Sequence, residues 1–84
     1  MFTNKAGHGR NNICGIVIAR RRKQLNKSQR QIADMLQIAG LDIDKNAIQR
    51  IEAGKRFVTD IELLALSKIF NVSCDELLGN VTQR

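Results

Sequence analysis

The chain has 84 residues and a formal net charge of +6, with 43% hydrophobic and 26% charged residues, which is the composition of one small soluble domain. Its longest apolar runs, four residues each at 16–19 and 63–66, are too short for a transmembrane helix or a signal peptide, so we expect a cytoplasmic protein without a membrane role. Residues 1–40 contain eight basic residues and one acidic residue, whereas residues 41–84 contain six basic and seven acidic residues, and such a basic segment favours a polyanionic partner such as nucleic acid.

Residues 1–11 are predicted to be a flexible, basic N-terminal arm, because they show no apolar periodicity and are rich in Gly, Asn and charged residues. His8 is the only histidine and has no cysteine in its segment. Cys14 and Cys74 lie within apolar patterns that lack the spacing of metal ligands. We therefore predict two reduced thiols, no metal site and no cofactor.

Two helices are predicted in the first half of the chain. The first covers about 13–25 and ends at Asn26, a residue type that tolerates the left-handed conformation closing a helix. The second begins at the capping box from Ser28 to Gln31 and ends before Gly40. The inward positions at helical spacing are Ile13, Val17 and Ile18 in the first helix, and Ile32, Ala33, Met35 and Leu36 in the second.

Three further helices are predicted in the second half. Asp44 is a candidate N-cap for a helix over 45–53. Capping boxes at Thr59 and Ser73 predict a longer fourth helix and a short fifth helix. Since the chain contains no proline and no period-two apolar run, we predict an all-α fold of five short helices.

A series of residues between 12 and 79 has a characteristic order and spacing. These residues are Arg22, Ser28-Gln29, Ile32-Ala33, Ile48, Glu52, Gly54, Leu63-x-x-Leu66-Ser67-x-x-Phe70-x-Val72-Ser73 and Asp75-Glu76-Leu77-Leu78. Their arrangement resembles the phage-repressor/Cro (XRE-type) helix-turn-helix family. The resemblance implies a five-helix, lambda-repressor-like DNA-binding domain at 12–79, followed by a C-terminal tail at 80–84. It also implies that Arg22 and Glu52 form a structural ion pair that orients the third helix.

The chain departs from the family pattern between the second and third helices. Ala33 and Ile48 are 15 positions apart, about five more than the family pattern has. The additional residues fall within 37–43, so we expect a longer second helix, an extended turn in the helix-turn-helix, or both. The apolar residues expected to pack this segment against the domain are Ile38, Leu41 and Ile43.

The resemblance further implies that the third helix enters the major groove of DNA. The outward residues implied to contact bases are Lys45, Asn46, Gln49 and Arg50. Arg and Lys suit guanine O6 and N7, whereas Asn and Gln suit adenine N6 and N7. The residues implied to contact phosphates are Lys27, Ser28, Gln29, Lys55 and Arg56.

We therefore expect a sequence-specific double-stranded-DNA-binding transcriptional regulator, a repressor that binds a palindromic operator as a homodimer. Leu77, Leu78 and Val81 are the expected dimer surface. The alternative is an antitoxin or protein-interaction module on the same fold, whose partner is a small protein. No nucleophile–base set, pair of catalytic carboxylates or Gly-rich phosphate loop is evident, so no enzyme activity is expected.

Overall fold

The computed structural model describes residues 9–79, and the chain in that range forms five α-helices and no strand. The helices are α1 (Gly15–Gln24), α2 (Gln29–Ile38), α3 (Lys45–Glu52), α4 (Asp60–Phe70) and α5 (Cys74–Leu77). The predicted all-α class is confirmed, although α1 begins two residues later than expected. Residues 1–8 of the predicted arm and the predicted tail at 80–84 lie outside the described range. Within that range, no helix is long and apolar enough to cross a membrane.

Side-chain caps determine where four of the helices begin. Ser28, Thr59 and Ser73 each accept a hydrogen bond from the third amide of the following helix, and each belongs to a complete capping box. The Oδ1 atom of Asp44 accepts a hydrogen bond of 2.8 Å from the amide of Ala47. Each cap contributes about 1 kcal/mol, and all four were predicted from sequence. The start of α3 is therefore fixed by a local signal.

The core lies between the inward faces of the five helices, and α2 packs most extensively on α3. Ala33 of α2, one of the predicted inward positions, is 1% exposed. Each fully buried aliphatic side chain contributes about 1.5–3 kcal/mol. The largest side chains in the core are Ile18, Ile32, Leu36, Ile43, Ile48, Ile51, Leu66 and Leu77.

The burial of Leu77 corrects the expected dimer surface. Leu77 is fully buried in the core of its own chain, and Leu78 is half-buried against that core. Leu77 therefore has no surface to offer a second copy. Val81 lies outside the described residues.

The extended turn between α2 and α3 is held by two of the three apolar residues that the sequence suggested. Ile43 is 1% exposed and Leu41 packs partly against the core. The side-chain amide of Gln37 also donates a 2.9 Å hydrogen bond to the carbonyl of Ile43. Ile38 is 88% exposed, so the expectation that it packs inward is wrong. It is the last residue of α2, and its position on the helix turns it away from the core.

Both cysteines in the described range are free thiols. Cys14 is buried next to α1, and this burial raises the pKa of its thiol. A raised pKa keeps the sulfur protonated and unreactive near neutral pH. Cys14 is therefore a small apolar residue of the core.

Candidate nucleic-acid interface

The two faces of α3 differ sharply in burial. Ile48 and Ile51 are fully buried, and they hold the helix on the core. The opposite side consists of exposed polar residues, which we call the outer face of α3. Positions three and four apart lie together on a helix, so these side chains form one continuous surface. The outer face contains Lys45, Asn46, Gln49 and Arg50, the residues that the sequence assigned to base contacts.

An ion pair ties the C-terminal end of α3 to α1. The Nε and Nη2 atoms of Arg22 donate to the two carboxylate oxygens of Glu52 at 2.7 and 3.0 Å. The side chains of Arg22 and Glu52 are only 13% and 9% exposed, and the hydrogen bond to Glu52 raises the pKa of Arg22. This is the pair that the family pattern implied. It fixes the position of the last residue of α3.

The predicted phosphate-contacting residues before and at the start of α2 take part in the same network. The side-chain amide of Gln29 donates a 3.0 Å hydrogen bond to the carboxylate of Glu52, which links α2 to the ion pair. The carbonyl of Lys27 accepts a 3.0 Å bond from Arg22, and the hydroxyl of Ser28 caps α2. One donor of the Gln29 amide is therefore used inside the domain. The free amides in the first turn of α2, together with the dipole of the helix, still favour an anion at this end.

Arg56 is engaged differently from what the sequence predicted. Its guanidinium forms two hydrogen bonds of 2.9 Å with the two carboxylate oxygens of Glu62 and a third, of 3.1 Å, with the carbonyl of Phe57. Glu62 thus offsets part of the positive charge of Arg56 and holds its side chain in the loop after α3. Arg56 is still 29% exposed and lines the same surface cavity as Asn46 and Arg50, so its contact with phosphate stays a prediction. Lys55, immediately before it, is exposed.

The Arg56–Glu62 pair predicts a pH-dependent contribution to stability. The hydrogen bond from Arg56 is the main cause that lowers the pKa of Glu62 in the folded protein. Stability from a lowered pKa is complete above the unfolded pKa of about 4.3 and is lost as the pH falls through the folded value. We expect Glu62→Gln, which retains the capping side chain, to lower the free energy of unfolding by about 1–2 kcal/mol at pH 7. Urea unfolding at a series of pH values should show this deficit shrinking as the pH falls through the folded pKa of Glu62, and a deficit that is the same at every pH would contradict the assignment.

Three residues that precede α1 also contact the end of α3, and sequence reasoning missed them. Arg10 donates to the carbonyl of Glu52, Asn11 hydrogen-bonds to Gly54, and Asn12 donates to Ile51. Arg10 and Asn11 fall in the segment that the sequence assigned to the flexible arm. The sequence signal that could have found them is the pair of asparagines before α1, since Asn is a preferred capping residue. No local pattern, however, indicates that these asparagines contact residues about 40 positions away.

A comparison with known protein families identifies the family of this chain. A family model described as Helix-turn-helix matches residues 18–77, more than half of the chain. The chain belongs to the XRE-type helix-turn-helix family. Neither a curated protein nor a solved structure matches it. The helix-turn-helix match identifies a DNA-binding transcriptional regulator in the general sense, and this family is regulatory rather than enzymatic.

In this helix-turn-helix protein, the motif consists of α2, the turn at 39–44 and α3. The second helix of such a motif is the recognition helix, which here is α3. Its N-terminal end is capped by Asp44, and its C-terminal end is held by Arg22 through Glu52. The longer turn is compatible with this arrangement because Ile43 is buried just before the Asp44 cap.

Proposed function

We propose that this protein is a sequence-specific transcriptional repressor that inserts α3 into the major groove of double-stranded DNA. The observation that carries the proposal is the outer face of α3, where four exposed polar side chains stand opposite two fully buried isoleucines. Because the inner face is fixed in the core and both helix ends are held, the outer face is presented in one orientation. Such preorganisation is what a base-reading surface requires.

The chemistry of the outer face fits base edges in the major groove. Arg50 and Lys45 suit guanine, which offers the O6 and N7 acceptors, and Asn46 and Gln49 suit adenine, which offers N7 and an N6 donor. Together they can discriminate among several base pairs. One helix contacts only a short DNA site. We therefore propose that the protein binds a palindromic operator as a homodimer, with the two copies of α3 about 34 Å apart in successive major grooves.

Phosphate contacts are proposed on both sides of α3. Lys27, Ser28 and Gln29 lie before and at the start of α2, where the helix dipole and free backbone amides favour an anion. Lys55 lies just beyond the other end of α3 and is exposed. These contacts would fix the position of the domain on the duplex without contributing sequence information.

The proposal is tested by selecting bound duplexes from a random pool with the full chain and repeating the selection with Arg50→Ala. We expect a palindromic consensus for the unmodified protein. For Arg50→Ala we expect a loss of about 1–3 kcal/mol in binding and a relaxed preference at one position of each half-site. Lys68→Ala, which removes an exposed cation from α4, is the control and should leave the consensus unchanged. If no consensus emerges, the proposed function is wrong.

A protein-interaction module with a small protein partner, such as an antitoxin, is the second candidate. The observation that favours it is a mainly apolar surface cavity between the turn after α2 and α4, where Ile61 is 66% and Leu64 50% exposed. The cavity is lined by Ala39, Leu41, Ile61, Leu64, Ala65, Lys68 and Ile69. Single exposed apolar residues are ordinary, but a contiguous set is typical of a contact surface. Fluorescence anisotropy with a random duplex at low salt separates the two functions, because a pure interaction module should show no salt-dependent binding.

A further inference from the structure

The C-terminal end of α3 receives an unusual donor from outside the helix-turn-helix motif. The Nη2 atom of Arg10 donates to the carbonyls of Glu52 at 3.0 Å and of Ile51 at 3.4 Å. The last carbonyls of a helix have no partner within the helix, and their partial negative charge favours a cation. Arg10 supplies both the hydrogen bonds and the charge. It therefore caps the recognition helix from a distance of about 40 residues in sequence.

The two residues that follow Arg10 extend this contact into the loop after α3. The amide of Asn11 donates to the carbonyl of Gly54 at 2.7 Å, and its side chain donates to Lys55 at 3.1 Å. The side-chain nitrogen of Asn12 donates to Ile51 at 3.0 Å and to Arg56 at 2.7 Å. We call residues 10–12 the N-terminal clasp. It fixes the end of α3 and the loop that carries Lys55.

Two glycines make room for the clasp. Gly54 has φ +78°, and a Cβ at this position would lie 2.7 Å from the Cζ atom of Arg10. A Cβ on Gly15 would overlap the carbonyl oxygen of Ile51. The amide of Gly15 also donates to the Oδ1 atom of Asn12 at 2.9 Å. The start of α1 therefore approaches the end of α3 closely because Gly15 lacks a side chain, and Gly54 leaves the space that the side chain of Arg10 fills.

Glu52 is consequently held through two separate groups. Its carboxylate accepts from Arg22 and Gln29, while its carbonyl accepts from Arg10. Helix α3 has eight residues, so it is about 12 Å long, and a rotation of about 10° around its C-terminal end displaces its N-terminal end by about 2 Å. A displacement of that size breaks a hydrogen bond to a base edge. The angle set at Glu52 therefore decides whether the outer face of α3 can read bases.

We propose that the N-terminal clasp is a specificity-determining element that sets the entry angle of α3, so that Arg10 and Asn12 control discrimination among duplex sequences without touching the DNA. The inference rests on the proposed function, since it concerns how the same helix reads DNA. Arg10 is a positioning residue in this mechanism. Its guanidinium donates from Nη2 to the end of α3 and from Nε to the carbonyl of Asn12 at 3.2 Å. The single ammonium nitrogen of a lysine cannot reproduce this two-nitrogen arrangement.

The test compares Arg10→Ala and Arg10→Lys with the unmodified full chain and with Lys68→Ala as a control for loss of one positive charge. Affinity is measured as a function of salt for the selected duplex and for a random duplex. In both Arg10 variants we expect the ratio of the selected-duplex affinity to the random-duplex affinity to fall by about tenfold or more. The slope of log K against log salt for the random duplex should stay unchanged. Amide hydrogen exchange is expected to accelerate at Ala53, Gly54 and Lys55 and to stay unchanged in α2.

Two results would overturn the proposal while leaving the proposed function intact. In the first, Arg10→Lys binds as tightly as the unmodified protein, and Arg10→Ala reduces the slope of log K against log salt by about 0.9. This pair of results would identify a phosphate contact. In the second, the affinity ratio is unchanged. If Arg10→Ala fails to fold, Asn11→Ala provides a milder variant, because it removes only the side-chain hydrogen bond to Lys55. It should give a smaller loss in the ratio of the selected-duplex affinity to the random-duplex affinity. An unchanged ratio would count against the clasp. Absence of any selected duplex would overturn the proposed function together with this inference.

Discussion

Replacing Arg22 with alanine is expected to lower the free energy of unfolding by about 3 kcal/mol. The substitution leaves the carboxylate of Glu52, which is only 9% exposed, with Gln29 as its remaining side-chain donor. Removing one partner of a buried pair costs about 3–5 kcal/mol, and the lower end applies because a small part of each side chain reaches solvent. Equilibrium unfolding in urea, followed by circular dichroism, measures the effect.

Arg21→Ala is the matched control, because it removes the same side-chain type from the neighbouring position of α1. Arg21 also forms an ion pair, with Glu76 at 3.0 Å, but the two side chains are 39% and 33% exposed. An exposed pair contributes about 0–1 kcal/mol.

The Arg22→Ala/Glu52→Ala double variant should cost less than the sum of its single variants, since each single variant strands one charge. Equal losses for Arg21→Ala and Arg22→Ala would show that burial of the Arg22–Glu52 pair has no energetic consequence.

The location of this pair explains why a mainly structural contact matters for DNA binding. Arg22 lies on α1, Gln29 at the start of α2 and Glu52 at the end of α3, so one small network joins the first three helices. The same network lies beside the proposed phosphate contacts at Lys27 and Ser28. A loss of the network would therefore disturb both the orientation of α3 and the start of α2.

Local sequence signals were sufficient for the starts of four helices and for the face of α3 that is buried. Capping residues mark the starts at Ser28, Asp44, Thr59 and Ser73 because a cap involves only neighbouring residues. The periodicity of α3 separates Ile48 and Ile51 from the outer face for the same reason. These features follow from helix geometry and do not depend on tertiary structure.

Contacts between distant segments were not predictable in this way. The hydrogen bonds of Arg10 and Asn12 to α3 depend on the folded arrangement of α1 and α3, and no spacing in the sequence encodes it.

The pairing of Arg56 with Glu62 was missed because both residues had more obvious roles, as a phosphate contact and as a capping residue. Glu62 performs its capping role and the ion pair simultaneously. A residue with several acceptor sites can serve two partners, which a one-role assignment does not anticipate.

Substitution of Ile43 with alanine is expected to destabilise the domain by about 2–5 kcal/mol, the usual cost of creating a cavity in a core. Ile43 is 1% exposed and lies in the extended turn, immediately before the residue that caps α3. Its side chain holds the turn on the core, and its carbonyl accepts the bond from Gln37. Urea unfolding measures the loss of stability, and binding to the selected duplex should weaken in parallel.

Ile38→Ala makes the same chemical change at the other end of the turn and provides the control. Ile38 is 88% exposed, so its truncation should change stability by less than about 0.5 kcal/mol. The contrast tests how a longer turn remains compatible with a correctly placed α3. The buried side chain of Ile43 next to the Asp44 cap positions the helix and Leu41 packs partly against the core, whereas Ile38 extends into solvent. Similar losses at Ile38 and Ile43 would instead mean that the whole segment packs as a unit. In that case the entry angle of α3 would depend on the length of the turn as well as on the contacts at its two ends.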